Sequence, residues 1–188
     1  VDQARWVVEL PAGKPLQVLT RGIPPERVVR ETVGGRQRLT VVRHQVMPHR
    51  APEPLQAHDQ DPSPILTFST APSWEAVVRE YLSLLEEPLR EPALKALVAE
   101  TVAGCTSDRE KVDRLLAKVR AQVRYLALEF GEAAIVPRTP GDTLKRGYGD
   151  CKDKATLLVA MLREAGLQAH VALLRSGDGQ DLRPELPG

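Results

Sequence analysis

The hydrophobic pattern of this chain changes once, at Ser73, and this change constrains the fold more than any other feature. Before it, short β-rich runs alternate with turn residues, and most of the 16 prolines of the chain precede residue 92. Because proline breaks helices and is excluded from sheet interiors, this half should form short strands and loops. After Ser73 apolar residues recur at helical spacing. We therefore expect a β-rich N-terminal domain over residues 1–71 and a second domain over residues 72–188.

Four runs in the first domain have the composition of β-strands. They cover residues 6–10, 16–19, 38–46 and 65–68. The pair Gly34-Gly35 lies between apolar runs and predicts a hairpin turn. Residues 48–64 carry several prolines and are predicted to be a long exposed loop.

The second domain shows clear signals for helix ends. Ser73 is predicted to cap the first helix. A second helix is expected over residues 92–103, and a third begins at Ser107, which forms a capping box with Glu110. Residues 167–174 are predicted to be a strand.

Charge and composition exclude two classes of function. The 26 Lys+Arg residues nearly balance the 25 Asp+Glu residues, the arginines are scattered, and aromatic residues make up 4%. A nucleic-acid-binding module needs a basic patch, often with aromatic residues, so nucleic acid is not an expected partner. The apolar run at residues 155–162 is far shorter than the roughly 20 residues of a membrane-spanning helix.

Cys151 stands where a reactive cysteine would be expected. Two glycines precede it, and an apolar helix follows that ends at Gly166. Free N–H groups and the helix dipole favour negative charge at a helix N-terminus, and the thiolate is the nucleophile of cysteine chemistry. The alternative is a small buried cysteine that only packs. The helix should present an inner face to the core: Ala155, Leu158, Met161, Leu162 and Ala165.

Several short motifs surround this helix. They are residues 64–70 with Ser73-Trp74, Val123-Arg124-Tyr125 with Glu129 and Gly131, Pro137, Thr143-Leu144, residues 146–155, and Leu162-Arg163 with Gly166. Together they resemble the transglutaminase-like superfamily, which shares the papain-type cysteine-protease architecture, in its bacterial branch with a β-rich domain before the core. The resemblance implies an α+β fold, with a partial β-sandwich N-terminal piece followed by the helical lobe and first strand of a papain-like domain. Arg124 and Tyr125 are expected to serve the core.

The resemblance also implies an activity. Cys151 would be the nucleophile of a Cys-His-Asp triad that acts on amide bonds of a protein or peptide, by hydrolysis or acyl transfer. Tyr148, Gly149 and Asp150 are candidates for the substrate or oxyanion region, with simple packing as the equal alternative for Tyr148. No cofactor or metal is implied, and an exported, periplasmic or cell-envelope location is favoured.

None of the four histidines occupies the place that the resemblance gives to the triad. His170 is expected to be a partly exposed strand residue. His44, His49 and His58 lie on a strand end and the proline-rich loop, without the ligand spacing of a zinc site, although Asp59 and Asp61 are nearby. The chain looks truncated at both ends, and we expect the triad His and Asp beyond residue 188, so that the 188 residues alone are inactive. The alternative is a non-catalytic binding or scaffolding module of the bacterial cell envelope that retains the fold.

Overall fold

The computed structural model describes residues 3–24, 27–44, 64–90, 94–127, 130–174 and 183–188. These residues form two compact units. The first unit comprises the described residues within Val1–Val78 and Leu174–Gly188, and the second spans Arg79–Leu173. The first unit contains antiparallel sheets and the second is mainly helical, so the expected α+β class is confirmed. Among the described residues, no helix is both long and apolar enough to cross a bilayer.

The first unit contains two antiparallel sheets. Their strands are β1 (Gln3–Pro11), β2 (Gln17–Arg21), β3 (Val28–Val33), β4 (Arg36–His44) and β5 (Ile65–Ser69). One sheet has the order β1-β4-β3 and the other pairs β2 with β5. The central strand β4 contributes Leu39 and Val41, which are buried. All four predicted strands are present with shifted ends, while residues 45–63, which hold most of the predicted loop, lie outside the described residues.

The predicted hairpin turn is confirmed. Val33 pairs with Arg36, so two residues connect β3 to β4. These are Gly34 and Gly35, with φ angles of 57° and 74°. Two consecutive positive φ angles characterise a type I′ turn, and glycine adopts them without a steric penalty.

Five helices form most of the second unit, although the first of them begins in the first unit. They are α1 (Trp74–Leu85), α2 (Lys95–Val102), α3 (Asp108–Gln122), α4 (Pro140–Arg146) and α5 (Cys151–Glu164). Short 3-10 turns cover Pro88–Arg90 and Gly131–Ala134. Two short strands, β6 (Arg124–Tyr125) and β7 (Tyr148–Gly149), pair in parallel.

Ser73 and Ser107 cap their helices as predicted. The capping box predicted for Ser107 is incomplete, because the Glu110 carboxylate bonds chiefly to the N–H of Thr106 rather than to that of Ser107. The Ser73 hydroxyl accepts the N–H of Ala76 at 3.2 Å. The Ser107 hydroxyl accepts the N–H of Glu110 at 3.3 Å, and the Glu110 carboxylate accepts the N–H of Thr106, one residue before the cap, at 2.7 Å. Each cap satisfies N–H groups that a helix terminus leaves without a backbone partner.

Helix α5 lies at the centre of the second unit, but its buried face differs from the predicted one. Leu157 and Met161 are fully buried, whereas Leu158 and Leu162 are only half-buried. The predicted face is therefore correct in part, since Met161 is buried and Leu158, Leu162 and Ala165 pack against the core cluster. The most deeply buried face also includes two polar residues, Asp153 and Thr156, which the prediction left out. The hydrophobic cluster around α5 consists of Leu94, Val98, Leu115, Val119, Val123, Leu157, Ala160 and Met161.

Residues 167–174 do not form the predicted strand. No strand of the described part of the chain pairs with them. Leu173 and Leu174 at their end are exposed. A β-strand needs a hydrogen-bonded neighbour, and an apolar composition alone does not supply one.

Candidate active site

A tight turn leads the chain from α4 to Cys151. Gly147 ends α4 with a φ of 67°, and its N–H donates to the carbonyl oxygens of Thr143 (3.1 Å) and Leu144 (3.2 Å). This left-handed residue closes the helix in the manner of a C-terminal glycine cap. The chain then forms β7 and enters α5 at Cys151.

The neighbouring strand fixes this turn through its backbone. The N–H of Arg124 donates to the carbonyl oxygen of Gly147, and the N–H of Leu126 donates to that of Gly149, both at 3.0 Å. These bonds give the evenly spaced pattern of a parallel pair. The residues directly before Cys151 are therefore held by β6.

Two acidic side chains cap the helix that Cys151 begins. The Asp150 carboxylate accepts the N–H of Lys152 (3.0 Å) and that of Asp153 (3.2 Å), and it also forms an ion pair with the Lys152 ammonium group. The Asp153 carboxylate accepts the N–H of Asp150 at 3.4 Å, which completes a capping box. Asp150 is 1% exposed and Asp153 is fully buried. Cys151 thus begins a helix whose first turn is fixed on its inner side.

The Cys151 side chain itself is exposed. This exposure contradicts the alternative of a buried cysteine that only packs. The other cysteine, Cys105, is half-buried and lies between α2 and α3. A thiol must be accessible to react, so accessibility favours Cys151 as the reactive one.

Tyr81 on α1 lies close enough for the charges of this turn to act on its hydroxyl group. Burial raises the pKa of Tyr81, the positive charge of Lys152 lowers it, and the negative charges of Cys151 and Asp150 raise it. The phenol is therefore kept neutral and can donate a hydrogen bond. Sequence reasoning missed Tyr81 because seventy positions separate it from Cys151 and no motif connects them.

The other predicted site residues have different surroundings. Tyr148 is half-buried and pairs with Arg124 in the parallel sheet, while Gly149 is buried. Arg124 and Tyr125 are both exposed, and 58% of Tyr125 is accessible, so the expectation that they serve the core was wrong. They form β6, which pairs in parallel with β7.

None of the described histidines lies on α5 or on the turn before it. His44 ends β4 in the first unit, and His170 is exposed in the irregular stretch after α5. His49, His58, Asp59 and Asp61 lie outside the described residues, as does Glu129. Within the described ranges, no three His, Cys, Asp or Glu side chains are grouped as metal ligands would be.

Comparisons with known proteins bear on the fold and on residues 95–180. Residues 95–180 match the family model of the transglutaminase-like superfamily. The structure is similar to the crystal structure of a putative protease from Parabacteroides distasonis, with a TM-score of 0.69 and 24% sequence identity over 88% of this chain. The match covers 32% of that protein, so this chain spans about a third of its length. No curated protein matches the sequence.

The two findings differ in what they show. An identity of 24% shows a shared fold alone, whereas the family model matches the segment that contains the capped turn and Cys151. The chain therefore has a cysteine-protease-like fold, and its residues 95–180 match the family model of the transglutaminase-like superfamily.

Proposed function

We propose that Cys151 is the nucleophile of a thiol enzyme that acts on amide bonds of a protein or peptide. The observation that carries this proposal is the exposure of Cys151 as the first residue of a helix whose capping residues, Asp150 and Asp153, are buried. A helix N-terminus favours a negative sulfur atom, and a rigid mount keeps that atom in one place. The family match over residues 95–180 supports the same reading.

The proposed reaction has two stages. The sulfur atom of Cys151 attacks the carbonyl carbon of the amide, the C–N bond breaks, and a thioester forms while the amine leaves with a proton. Water or a second amine then attacks the thioester and returns the thiol. Water would make the protein a peptidase or amidase, and an amine would make it an acyl transferase.

The turn before Cys151 is proposed to face the oxygen that becomes negative during the attack. The Asp150 carboxylate accepts the N–H groups of Lys152 and Asp153 but not that of Cys151. Under this proposal the N–H of Cys151 would donate to the oxyanion, and Tyr148 and Gly149 would form the adjacent wall. Donors aimed at the developing charge stabilise the transition state.

The proton acceptor is proposed to lie in the full-length protein, beyond residue 188, as a His that an Asp orients. Neither His44 nor His170 is proposed for this role, because His44 belongs to the first unit and His170 is exposed on an irregular stretch. A positioned general base contributes about 10²–10⁴-fold to the rate. Residues 1–188 alone should therefore show no measurable turnover.

The test compares residues 1–188 with the full-length protein on fluorogenic peptide amides, with and without an added amine acceptor. We expect turnover only in the full-length protein, lost in Cys151→Ala and kept in Cys105→Ala. Turnover that survives Cys151→Ala would show that another group is the nucleophile. If the full-length protein binds peptides without any turnover, the module is a non-catalytic binding or scaffolding domain.

A further inference from the structure

Asp153 makes more contacts than a helix cap needs. Its carboxylate is fully buried, and burial of a charge is costly unless the charge is paired and hydrogen-bonded. Oδ1 accepts the backbone N–H of Arg138 at 2.8 Å, and Oδ2 accepts the Arg138 Nη1 group at 2.9 Å as well as the N–H of Asp150 at 3.4 Å. One buried carboxylate therefore joins the segment at Arg138 to the turn before Cys151.

Helix α3 shows that capping alone does not require this arrangement. Its N-terminus is capped by Ser107, and the acidic residue three positions later, Glu110, is exposed. The Glu110 carboxylate accepts N–H and hydroxyl groups from Thr106. The buried ion pair with Arg138 is thus an addition that distinguishes α5 from α3.

The contact with Gly149 shows how tightly Asp153 holds the turn. A Cβ atom at Gly149 would lie 2.8 Å from the Cβ of Asp153 and 3.0 Å from its Oδ2 atom. The two backbones can approach this closely only because position 149 has no side chain. On its other side Gly149 accepts the N–H of Leu126, so the residues before Cys151 are held between β6 and Asp153.

We propose that Asp153 and Arg138 are positioning residues for Cys151, because together they fix the backbone from Gly149 to Cys151 and so the direction of the thiol. This inference rests on the proposed function, in which Cys151 is the nucleophile. The Cys151 side chain is exposed, and its place therefore depends on the backbone that carries it. The pair acts through that backbone and does not contact the substrate.

The direction in which one substitution changes the alkylation rate of Cys151 distinguishes a positioning role from a simple charge effect. In Asp153→Asn a negative charge near the thiol is lost, so a charge effect alone makes the thiolate easier to form and alkylation faster. Loss of position moves the thiol away from the helix N-terminus and makes alkylation slower. The other charged or titratable groups around this turn are unchanged: Asp150, which caps α5, Lys152 and Lys154 in its first turn, and Tyr81 on α1.

Arg138→Lys supplies a second variant that keeps the charge. The backbone N–H of Arg138 still donates to Asp153, and a positive group remains, so a charge effect alone leaves the reactivity unchanged. The planar fork of arginine is lost, and with it the defined direction of the bond to Oδ2. A positioning role predicts slower alkylation here too.

The experiment measures alkylation of Cys151 by iodoacetamide across a pH series, by mass spectrometry, with Cys105 in the same chain as the internal reference. Asp153→Asn and Arg138→Lys are compared with wild type and with two matched controls on α3. These are Asp108→Asn and Arg109→Lys, which alter exposed ion pairs with Lys111 and Asp113. Circular dichroism establishes that each variant is folded.

We expect Cys151 in Asp153→Asn to react about fivefold more slowly than in wild type at neutral pH, a size typical of a charge at a helix terminus. The midpoint of its pH–rate profile should move to higher pH. Arg138→Lys should move the profile the same way by a smaller amount, and the controls should leave it in place. If Asp153→Asn does not fold, the alkylation profile of Arg138→Lys alone decides whether the pair positions Cys151.

An unchanged or accelerated reaction of Cys151 in the folded variants would overturn the positioning role. Failure of the proposed function has a different signature. If turnover of the full-length protein survives Cys151→Ala, Cys151 is not the nucleophile. The alkylation profiles still report whether Asp153 and Arg138 position its thiol.

Discussion

The ammonium group of Lys154 donates a hydrogen bond to the carbonyl oxygen of Val123 at 2.7 Å. Val123 is fully buried and directly follows α3 as its C-cap, while Lys154 lies in the first turn of α5. The bond therefore joins the helix that begins with Cys151 to the point where the chain leaves α3 for β6. It also satisfies a carbonyl oxygen at a helix C-terminus, where cations are favoured.

Replacing Lys154 by methionine should lower the free energy of unfolding by about 1.5–3 kcal/mol, the range for hydrogen bonds to charged groups. Methionine keeps most of the length of the side chain but cannot donate. Urea unfolding followed by circular dichroism measures the loss. Lys111→Met is the control, because its partner Asp108 is 73% exposed and such surface pairs contribute less than about 1 kcal/mol. Equal losses in the two variants would contradict the prediction.

Leu157 and Leu158 are adjacent in α5 but differ in burial. Leu157 is fully buried in the core cluster, whereas Leu158 packs against that cluster from its edge. Leu157→Ala should cost about 2–5 kcal/mol, as truncations of core leucines do. Leu158→Ala should cost clearly less, and urea unfolding of both variants gives the comparison. A larger loss for Leu158 would mean that α5 is rotated relative to the described structure.

Local signals in the sequence were sufficient to predict the hairpin turn and the residues that cap the helices. Gly34-Gly35 has two positive φ angles that few other residues adopt, and Ser73 precedes its helix directly, so each signal lies within a few residues of its effect. The position of Cys151 at a helix start was predictable for the same reason. Each of these features is decided by neighbouring residues in the chain.

Features that depend on distant residues could not be predicted in this way. The buried face of α5 includes Asp153, which a hydrophobic pattern assigns to the surface, because its partner Arg138 lies fifteen positions earlier. Tyr81 reaches the site from another helix. Residues 167–174 have a strand-like composition, but no described strand pairs with them. In each case the decisive partner is remote in the sequence.

The neutral phenol of Tyr81 should make stability sensitive to high pH. Burial holds the pKa of Tyr81 above its usual value near 10. Above that pH the unfolded chain loses the phenol proton while the folded chain keeps it. The contribution of Tyr81 to the free energy of unfolding is therefore complete below about pH 10, and it is lost as the pH rises through the pKa of Tyr81 in the folded protein. Tyr81→Phe should therefore flatten the decline of the free energy of unfolding above about pH 10.

Urea unfolding at a series of alkaline pH values tests this dependence. Tyr125→Phe is the comparison, because it removes a hydroxyl group from a tyrosine that is 58% exposed. A decline that is as steep in Tyr81→Phe as in wild type would contradict the assigned role of this half-buried phenol.

Gly149→Ala tests the close approach of the turn to Asp153. The added Cβ atom would lie 2.8 Å from the Cβ of Asp153, a separation at which one backbone must move. Since Gly149 does not have a positive φ, the penalty comes from this contact and not from the backbone conformation. Overpacking of this kind costs about 1–3 kcal/mol.

Gly13→Ala is the matched control for this prediction, because a Cβ atom there meets nothing within 4 Å and the residue also lacks a positive φ. Urea unfolding should show the predicted loss for Gly149→Ala and a change below about 0.5 kcal/mol for Gly13→Ala. The movement that relieves the contact must also displace Asp150, whose N–H donates to Asp153. Gly149→Ala should therefore slow the alkylation of Cys151 relative to that of Cys105. If both the ratio of these two rates and the free energy of unfolding were unchanged, the turn could move away from Asp153 without penalty.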